Sequence, residues 1–241
     1  MRAEASPQQD TAALHRPLEV VGLIVAFGLV CALARRLASA VAEGFAAGAS
    51  AEERWLALAV LLTVTVGYLA ADLASGVVHW LFDRFGTVDT PFFGPRFVAP
   101  FREHHETPEA ITTHDFVETN GNTCLATILP LFGVSLLRLD LQHPGQLLFT
   151  ALLTCTASFT LVTNQLHKWA HDPEPPPLVR WLQARRLVLS PEHHAIHHAP
   201  PHDANYCITV GWMNAPLARL RFWARAEWFA EHVLRLRVYR G

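Results

Sequence analysis

Four long apolar stretches constrain the fold of this 241-residue chain more than any other feature. The stretches at 18–37 and 55–82 reach the length of about 18 residues at which a membrane-spanning helix becomes the leading interpretation. The stretch at 146–166 is of similar length, whereas 123–137 is shorter and contains Pro130. Charged residues make up only 17% of the chain, against about 25% in an ordinary soluble domain. We therefore predict an all-α integral membrane protein with four transmembrane helices.

Two other interpretations of these stretches stay open at this point. They would suit buried core helices of a soluble protein, although some are long for that purpose. The first stretch would also suit a cleaved signal peptide that ends near Ala38 and Ala40. The polar leader at 1–17 argues against this, because it is long and contains Glu4 and Asp10.

The distribution of arginine and lysine predicts the orientation in the membrane. Ten basic residues lie between Lys168 and the C-terminus, which places the segment 167–241 in the cytosol. Four spans then place the N-terminus and the loop at 83–122 on the same side. Two arginines at the far end of the first span oppose this orientation but are outnumbered. We expect a single membrane domain at 18–241, with a cytosolic cap at 167–241.

Two segments of this predicted cap are amphipathic. The proline-rich run at 173–177 ends the helix that leaves the fourth span. Beyond it, 178–189 and 216–238 mix Trp, Phe and Leu with Arg. Such segments fit either helices that lie on the membrane surface or solvated helices packed on the cap.

Histidine is abundant and unevenly distributed, with 14 residues in the chain. Most of them fall in segments that the topology places at one membrane face. These are His79, His104, His105, His114, His167, His171, His193, His194, His197, His198 and His202.

The histidine spacings favour metal binding. His167 and His171 are four residues apart, so both imidazoles share one helix face. The same spacing occurs twice in HHAIHH at 193–198, and the two pairs point in adjacent directions because successive helical residues differ by about 100°. Four neutral imidazoles on one short helix are costly to bury without partners and repel one another when protonated.

The number and type of ligands indicate two iron ions. Nine or ten histidines exceed the three or four ligands of a zinc ion, and imidazole suits Zn, Cu, Fe and Ni. The sequence has neither the HExxH motif of zincin proteases nor the ExxH pairs of carboxylate-bridged di-iron bundles. An all-histidine site for two metals at a membrane surface points to iron and O2 activation, because an unactivated C–H bond requires a strong oxidant.

Polar residues near the histidines are candidates for orienting the imidazoles or contacting substrate. Asp72 lies inside the second predicted span, where an ionisable group usually faces the bundle interior; it fits either a substrate cavity or an internal hydrogen bond. The further candidates are Asn164, Asp172 and Asp203. The other nearby carboxylates, each open to a supporting role or to ordinary surface charge, are Asp83, Glu103, Asp115, Glu118 and Glu192.

Six segments carry a resemblance to a known family. They are ADLASGVVHW at 71–80, PFREHHETPEAITTHDF at 100–116, ETNGN at 118–122, TNQLHKWAH at 163–171, PEHHAIHHAPPH at 191–202 and CITVGWMN at 207–214. The chain thereby resembles the plasmanylethanolamine desaturase family, also called Kua or lipid desaturase domain, over roughly residues 70–225. The resemblance implies a fold like that of the membrane fatty acid desaturases, with a histidine-rich cytosolic cap.

The resemblance also implies an activity and a set of ligands. The 1-O-alkyl chain of a plasmanyl phospholipid would become a vinyl ether, giving a plasmalogen, with O2 as co-substrate and electrons from an external donor. Plastid members of the family desaturate an acyl chain of phosphatidylglycerol, but ITTHDF and ETNG in this sequence resemble the ether-lipid branch more closely. The implied iron ligands are His79, His104, His105, His167, His171, His193, His194, His197 and His198, with His114 and His202 as additional candidates.

The expected partners follow from this assignment. They are a phospholipid substrate with an ethanolamine headgroup, in a bacterial inner membrane or a membrane like the endoplasmic reticulum, and a separate electron-transfer protein, because the chain has no haem, flavin or iron–sulfur motif. A net charge of −2 gives no basic field for nucleic acid. The alternatives are a desaturase or hydroxylase of a phospholipid acyl chain, and a metal-transporting membrane protein whose ligands would be distributed along the spans.

Overall fold

The long helices correspond to the apolar stretches of the sequence. The computed structural model describes residues 7–91 and 94–240, and in these residues every regular element is helical, which confirms the all-α prediction. The α-helices are, in chain order, α1 (Pro7–Gly44), α2 (Ala51–Arg84), α3 (Ala99–Glu106), α4 (Phe116–Ser135), α5 (Pro144–His171), α6 (Pro177–Ala184), α7 (Pro191–His198), α8 (Asn214–Arg219) and α9 (Phe222–His232). A π-helical turn at Gly94–Val98 and a 3-10 helix at Pro108–Thr113 flank α3.

Three of these helices are long and apolar enough to cross a membrane. They comprise Arg16–Gly44 of α1, Ala51–Arg84 and Pro144–His171, and they contain the predicted spans at 18–37, 55–82 and 146–166. Large apolar side chains on them are exposed, among them Ile24 and Leu62, as lipid contact would require. The three long helices support a membrane protein.

Helix α4, which covers most of the predicted span at 123–137, is not among these candidates. Its first turns carry Glu118, Asn120 and Asn122, so the apolar run is confined to 124–135. That run is roughly 18 Å long at 1.5 Å per residue, against a hydrocarbon core of about 30 Å. The count of four spans is therefore not confirmed.

The predicted polar leader at 1–17 is only partly within the described residues. Residues 1–6 lie outside them, and α1 begins at Pro7, so the segment from residue 7 is continuous with the first candidate span.

The described chain divides into two compact units, and the single membrane domain at 18–241 stays a prediction. The first unit comprises Met1–Tyr68 and Asp115–Val162, and the second comprises Leu69–His114 and Thr163–Gly241. Helices α2 and α5 contribute residues to both units.

Small residues allow close helix packing in the first unit. Leu37, Val60 and Leu147 form one buried cluster from α1, α2 and α5. A Cβ atom on Gly67 would lie 2.5 Å from the Cβ of Cys155, so only glycine permits this approach of α2 to α5. Arg36 donates hydrogen bonds from its guanidinium to the carbonyl oxygens of Ser135 (2.7 Å) and Leu137 (3.0 Å) at the end of α4. These contacts give Arg36 a structural role independent of topology.

The second unit is organised around the buried carboxylate of Asp72. Its Oδ1 accepts hydrogen bonds from the backbone N–H groups of Thr209, Val210 and Gly211 at 2.9–3.1 Å, and its Oδ2 accepts one from Met213 at 2.9 Å. These contacts fix the segment 207–214 against α2. Of the two roles predicted for Asp72, the described contacts match the internal hydrogen bond.

The core of the second unit packs next to this anchor. Tyr206, Cys207, Leu217 and Trp223 form a buried cluster. It packs on the apolar side chains of α2 in the same unit, namely Leu73, Val77 and Trp80. Burial raises the pKa of the Tyr206 phenol and of the Cys207 thiol, so both stay protonated at neutral pH.

Candidate metal centre

Eight histidines and one aspartate of the second unit converge into two groups with the donor atoms of metal sites. The first, which we call the five-histidine group, consists of His104, His167, His171, His194 and His198. The second, which we call the mixed group, consists of His79, Asp83, His105 and His197. Within each group the candidate ligand atoms all lie within 4.8 Å of one another.

Four helices supply these side chains. In α2 and α5 the members are four residues apart, so His79 lies above Asp83 and His167 lies above His171 on one face. In α3 the adjacent residues His104 and His105 differ by about 100° in direction and enter different groups.

Helix α7 contributes to both groups. It begins after Ser190, whose Oγ accepts a hydrogen bond from the backbone N–H of His193 at 3.3 Å, and Pro191 occupies its first turn. His194 and His198 enter the five-histidine group, and His197 enters the mixed group.

In the five-histidine group the Nε2 atoms face one another. His167 Nε2 lies 2.8 Å from His194 Nε2, 3.1 Å from His104 Nε2 and 3.2 Å from His171 Nε2. His198 Nε2 lies 3.0 Å from His194 Nε2. Neighbouring ligands on one ion with metal–nitrogen bonds of about 2.1 Å lie about 3.0 Å apart, so these separations fit a shared ion.

The mixed group contains buried polar atoms that need a cation. Asp83 Oδ2 lies 3.6 Å from His79 Nε2, 3.7 Å from His105 Nε2 and 3.4 Å from His197 Nε2, too far for good hydrogen bonds. Both carboxylate oxygens of Asp83 and Nε2 of His79 are buried without a hydrogen-bond partner among the described residues. Because an unpaired buried carboxylate is costly, the donor set fits a metal ion.

The second ring nitrogen of two members is anchored to the backbone. His79 Nδ1 donates to the carbonyl oxygen of Tyr206 (3.2 Å), and His197 Nδ1 donates to that of Ala204 (2.8 Å). With Nδ1 protonated, the lone pair of each ring is on Nε2, which points into the mixed group.

Burial keeps several of the imidazoles on α3 and α7 neutral, namely those of His104, His105, His194 and His198. It lowers the pKa of His104 and of His105 to about 3 and that of His198 to about 2, and repulsion from neighbouring imidazoles acts in the same direction. The pKa of His194 is lowered for the same reasons. Neutral imidazoles are the form that binds metal ions at pH 7.

Three predicted ligands lie outside both groups. His193 Nε2 accepts a hydrogen bond from Asn214 Nδ2 at 3.0 Å, and its ring packs against Gly211. The His202 ring stacks on that of His105 at 4.5 Å, and its Nδ1 donates to the carbonyl oxygen of His197 at 3.2 Å. His114 ends the 3-10 helix, and its carbonyl oxygen accepts a hydrogen bond from Lys168.

Apart from Asp83, the residues predicted to orient the imidazoles or contact substrate do not belong to either group. Asp172 follows α5 and accepts a hydrogen bond from the backbone N–H of Glu174 at 2.9 Å. Asn164 lies on α5 one turn before His167, and Asp203 lies in the irregular segment that follows α7. Asp115 is the N-cap of α4 in the first unit.

Asp83 is the group member that the sequence-based ligand set omitted. Its position four residues after His79, on the same helix, was the available signal, but exposed carboxylates near histidines are common. The burial that distinguishes Asp83 from those carboxylates is a tertiary property.

A cavity of about 340 Å³ adjoins the five-histidine group. Its lining includes His171 itself, the charged residues Asp172, Arg180 and Glu192, and the amide of Gln183.

In the part of the chain that the structure describes, fold and site define a helical protein with three candidate membrane spans and two histidine-rich groups suited to metal ions. The lipid desaturase domain matches residues 68–238, and the chain belongs to this family, which confirms the resemblance seen in its motifs. The matched region includes the whole second unit apart from its last residues.

The relatives are desaturases. The chain is 42% identical over 212 residues to a plasmanylethanolamine desaturase of Myxococcus xanthus, covering 88% of this chain and 70% of the relative. It is 45% identical over 173 residues to plasmanylethanolamine desaturase 1 of Mus musculus (70% and 64%) and 36% identical over 182 residues to the chloroplastic fatty acid desaturase 4 of Arabidopsis thaliana (74% and 52%). No solved structure matches the chain. Family and relatives support an oxidoreductase acting on lipids.

Proposed function

We propose that this protein is a di-iron, O2-dependent membrane desaturase that converts the 1-O-alkyl chain of plasmanyl phospholipids to a vinyl ether. The observation that carries the proposal is the convergence, in one unit, of two groups of buried and half-buried donors from four helices. The higher identity to the two plasmanylethanolamine desaturases than to the chloroplastic relative favours an ether lipid over an acyl chain.

The ligands proposed for the two irons are the members of the two groups. The five-histidine group would hold one ion with neutral donors only. The mixed group would hold the other, and there Asp83 would compensate part of the ion's charge. This proposal replaces His193 by Asp83 in the ligand set read from the sequence.

The balanced reaction is R–CH2–CH2–O–R′ + O2 + 2 electrons + 2 H⁺ → R–CH=CH–O–R′ + 2 H2O. When bound, the iron pair supplies the oxidising power that breaks two unactivated C–H bonds. The chain itself orients the donors through the backbone anchors of His79 and His197, and buries them so that water has little access to the site. The electrons come from a separate protein, which we place on the cytosolic side with the second unit.

The zwitterionic ethanolamine phosphate headgroup has a suitable place beside the site. Only a few covalent bonds separate the reacting carbons from the phosphate, so the headgroup must bind near the metal ions. The cavity at His171 offers the Arg180 guanidinium for phosphate and the carboxylates of Asp172 and Glu192 for the ammonium group. Arg185 does not line this cavity, and its guanidinium stacks on the Trp181 ring at 4.0 Å.

Expression in cells that make alkyl ether lipids but no vinyl ethers tests the proposal. Wild-type protein should yield a lipid two mass units lighter with an acid-labile ether. H171A and H197A, one substitution in each group, should abolish this product. H143A is the matched control, because His143 lies in the first unit and pairs with Asp140. Vinyl ether formation that survives both site substitutions, or a product with added oxygen, would contradict the proposal.

Metal transport is less well supported. A transport path requires ligands along the spans, whereas both groups found among the described residues belong to the second unit. Metal uptake into vesicles without any lipid product would favour it.

A further inference from the structure

Helix α9 exposes large aromatic side chains. Trp223 and Ala230 are buried on one side of this helix. Phe222, Trp228 and Phe229 lie outside this buried side next to the polar Arg225 and His232, and Trp228 and Phe229 are 58% and 49% exposed. A helix that only shields a core from water carries mainly polar residues on its exposed side, so three exposed aromatic residues on α9 indicate a further apolar contact.

The exposed apolar surface continues on both sides of α9. Leu220 precedes the helix, and Val233, Leu234 and Leu236 follow it, all about half exposed or more. Together with Phe222, Trp228 and Phe229 they form what we call the C-terminal surface.

Arginines interleave with these apolar residues. Five exposed arginines lie in this stretch and have no carboxylate partner among the described residues, namely Arg219, Arg221, Arg225, Arg235 and Arg237. The two carboxylates of the stretch are already paired, since Glu227 accepts from Arg84 and Glu231 from Arg240, each at 2.8 Å. The surface is therefore strongly positive although the chain carries a net charge of −2.

We propose that the C-terminal surface lies on an anionic phospholipid bilayer. Trp228 and Phe229 would enter the boundary between headgroups and acyl chains, and the arginines would bind lipid phosphates. A bilayer suits the surface better than an acidic protein, because three helices among the described residues are candidate membrane spans and the exposed residues include large aliphatic and aromatic side chains. The proposal does not depend on the reaction catalysed.

Packing connects this surface to the mixed group. The Trp223 ring, on the buried side of α9, lies 5.0 Å from that of Tyr206, which lies 5.2 Å from that of His197. The Glu227 carboxylate pairs with Arg84, the residue after Asp83. Contact of α9 with lipid would thus hold the mixed group beside the bilayer that contains the substrate.

Spin-label accessibility in the full-length protein tests the proposal. A nitroxide at F229C, in a chain with Cys31 replaced by Ser, should collide more often with O2 than with a water-soluble nickel chelate in vesicles containing phosphatidylglycerol. A label at E109C, an exposed residue of the 3-10 helix, serves as the comparison and should favour the nickel chelate. The triple variant R219Q/R221Q/R225Q should shift the label at 229 toward water, as should vesicles of phosphatidylcholine alone.

Three outcomes would overturn the proposal. One is a label at 229 that is as accessible to nickel as the label at 109. Another is a membrane depth of the label at 229 that changes neither with lipid charge nor with substitution of the three arginines. The third is spin–spin broadening at 229 that disappears on dilution with unlabelled protein, which would show a second copy of the chain on this surface.

Discussion

Asp72 shows at the residue scale how a polar group inside an apolar helix can be stabilised. Its side chain is 0% exposed, yet four backbone N–H groups solvate it as water would. Gly211, one of the donors, has a φ of 81°, which favours glycine, and the same residue contacts His193. The anchor of the 207–214 segment therefore also supports α7.

We expect D72N to destabilise the protein by about 3 kcal/mol, because an amide has one acceptor oxygen and leaves buried N–H donors unpaired. The measurement is the unfolding free energy in detergent. S75A is the matched control, since Ser75 Oγ accepts one hydrogen bond from the 207–214 segment, that of the Ile208 N–H, and otherwise donates to the carbonyl oxygen of Asp72 within α2; it should cost about 1 kcal/mol. Equal stability of D72N and wild type would refute the anchoring role.

Asp83 and His193 are the two residues at which the ligand set predicted from the sequence differs from the two donor groups of the structure. The HHAIHH segment offers two equivalent i, i+4 pairs, and sequence alone cannot tell which imidazoles face the site. The approach of Gly211 and Asn214 takes His193 into a structural contact. Asp83, in contrast, becomes distinctive only when helices α3 and α7 bury it.

At the scale of elements, α7 is the helix whose rotation decides the ligand set. His194, His197 and His198 enter the groups, and His193 forms the contact to Asn214. The adjacent pair His193 and His194 therefore gives a matched comparison within one turn of helix.

We expect H194A to lose metal and H193A to retain it. H193A should instead lower the unfolding free energy by about 1 kcal/mol through the lost hydrogen bond with Asn214. Metal content per chain, measured on purified protein, distinguishes the two variants. If H193A loses as much metal as H194A, the orientation of α7 described above is wrong.

Helix α4 depends on an N-terminal cap that is sensitive to acid. Asp115 Oδ1 accepts hydrogen bonds from the backbone N–H groups of Val117 and Glu118 and from Arg16 at 2.9–3.0 Å. The pKa of Asp115 is about 2, below its ordinary value of 3.8. The hydrogen bond from Arg16 is the main cause, followed by the hydrogen bonds from the backbone at the start of α4. Between these values the unfolded chain binds a proton that the folded chain does not.

The stabilisation by Asp115 should accordingly be complete above about pH 4 and disappear as the pH falls toward about 2. The check is the difference in stability between wild type and D115N across that range, which should shrink on acidification. R16Q should shift the loss toward the ordinary pKa of aspartate. A difference that stays constant with pH would rule out this cap as the acid-sensitive element.

At the scale of the whole molecule, the length and apolarity of single segments predicted the long helices. The composition of the two donor groups depends instead on tertiary contacts between helices. Length and apolarity are properties of a segment, which is why 18–37, 55–82 and 146–166 lie within candidate spans. The apolar run of α4 is short, so it was only a weak signal for a membrane span. The division of nine donors between two groups depends on how four helices pack, and no periodicity in the sequence encodes it.

We propose that the second unit holds two ions, one in each group. Anomalous scattering at the iron absorption edge, from crystals of protein purified with its native metal, tests it most directly. We predict two anomalous difference peaks, one within bonding distance of His171 and His194 and the other within bonding distance of Asp83 and His197. A single peak, or strong peaks away from both groups, would contradict the account.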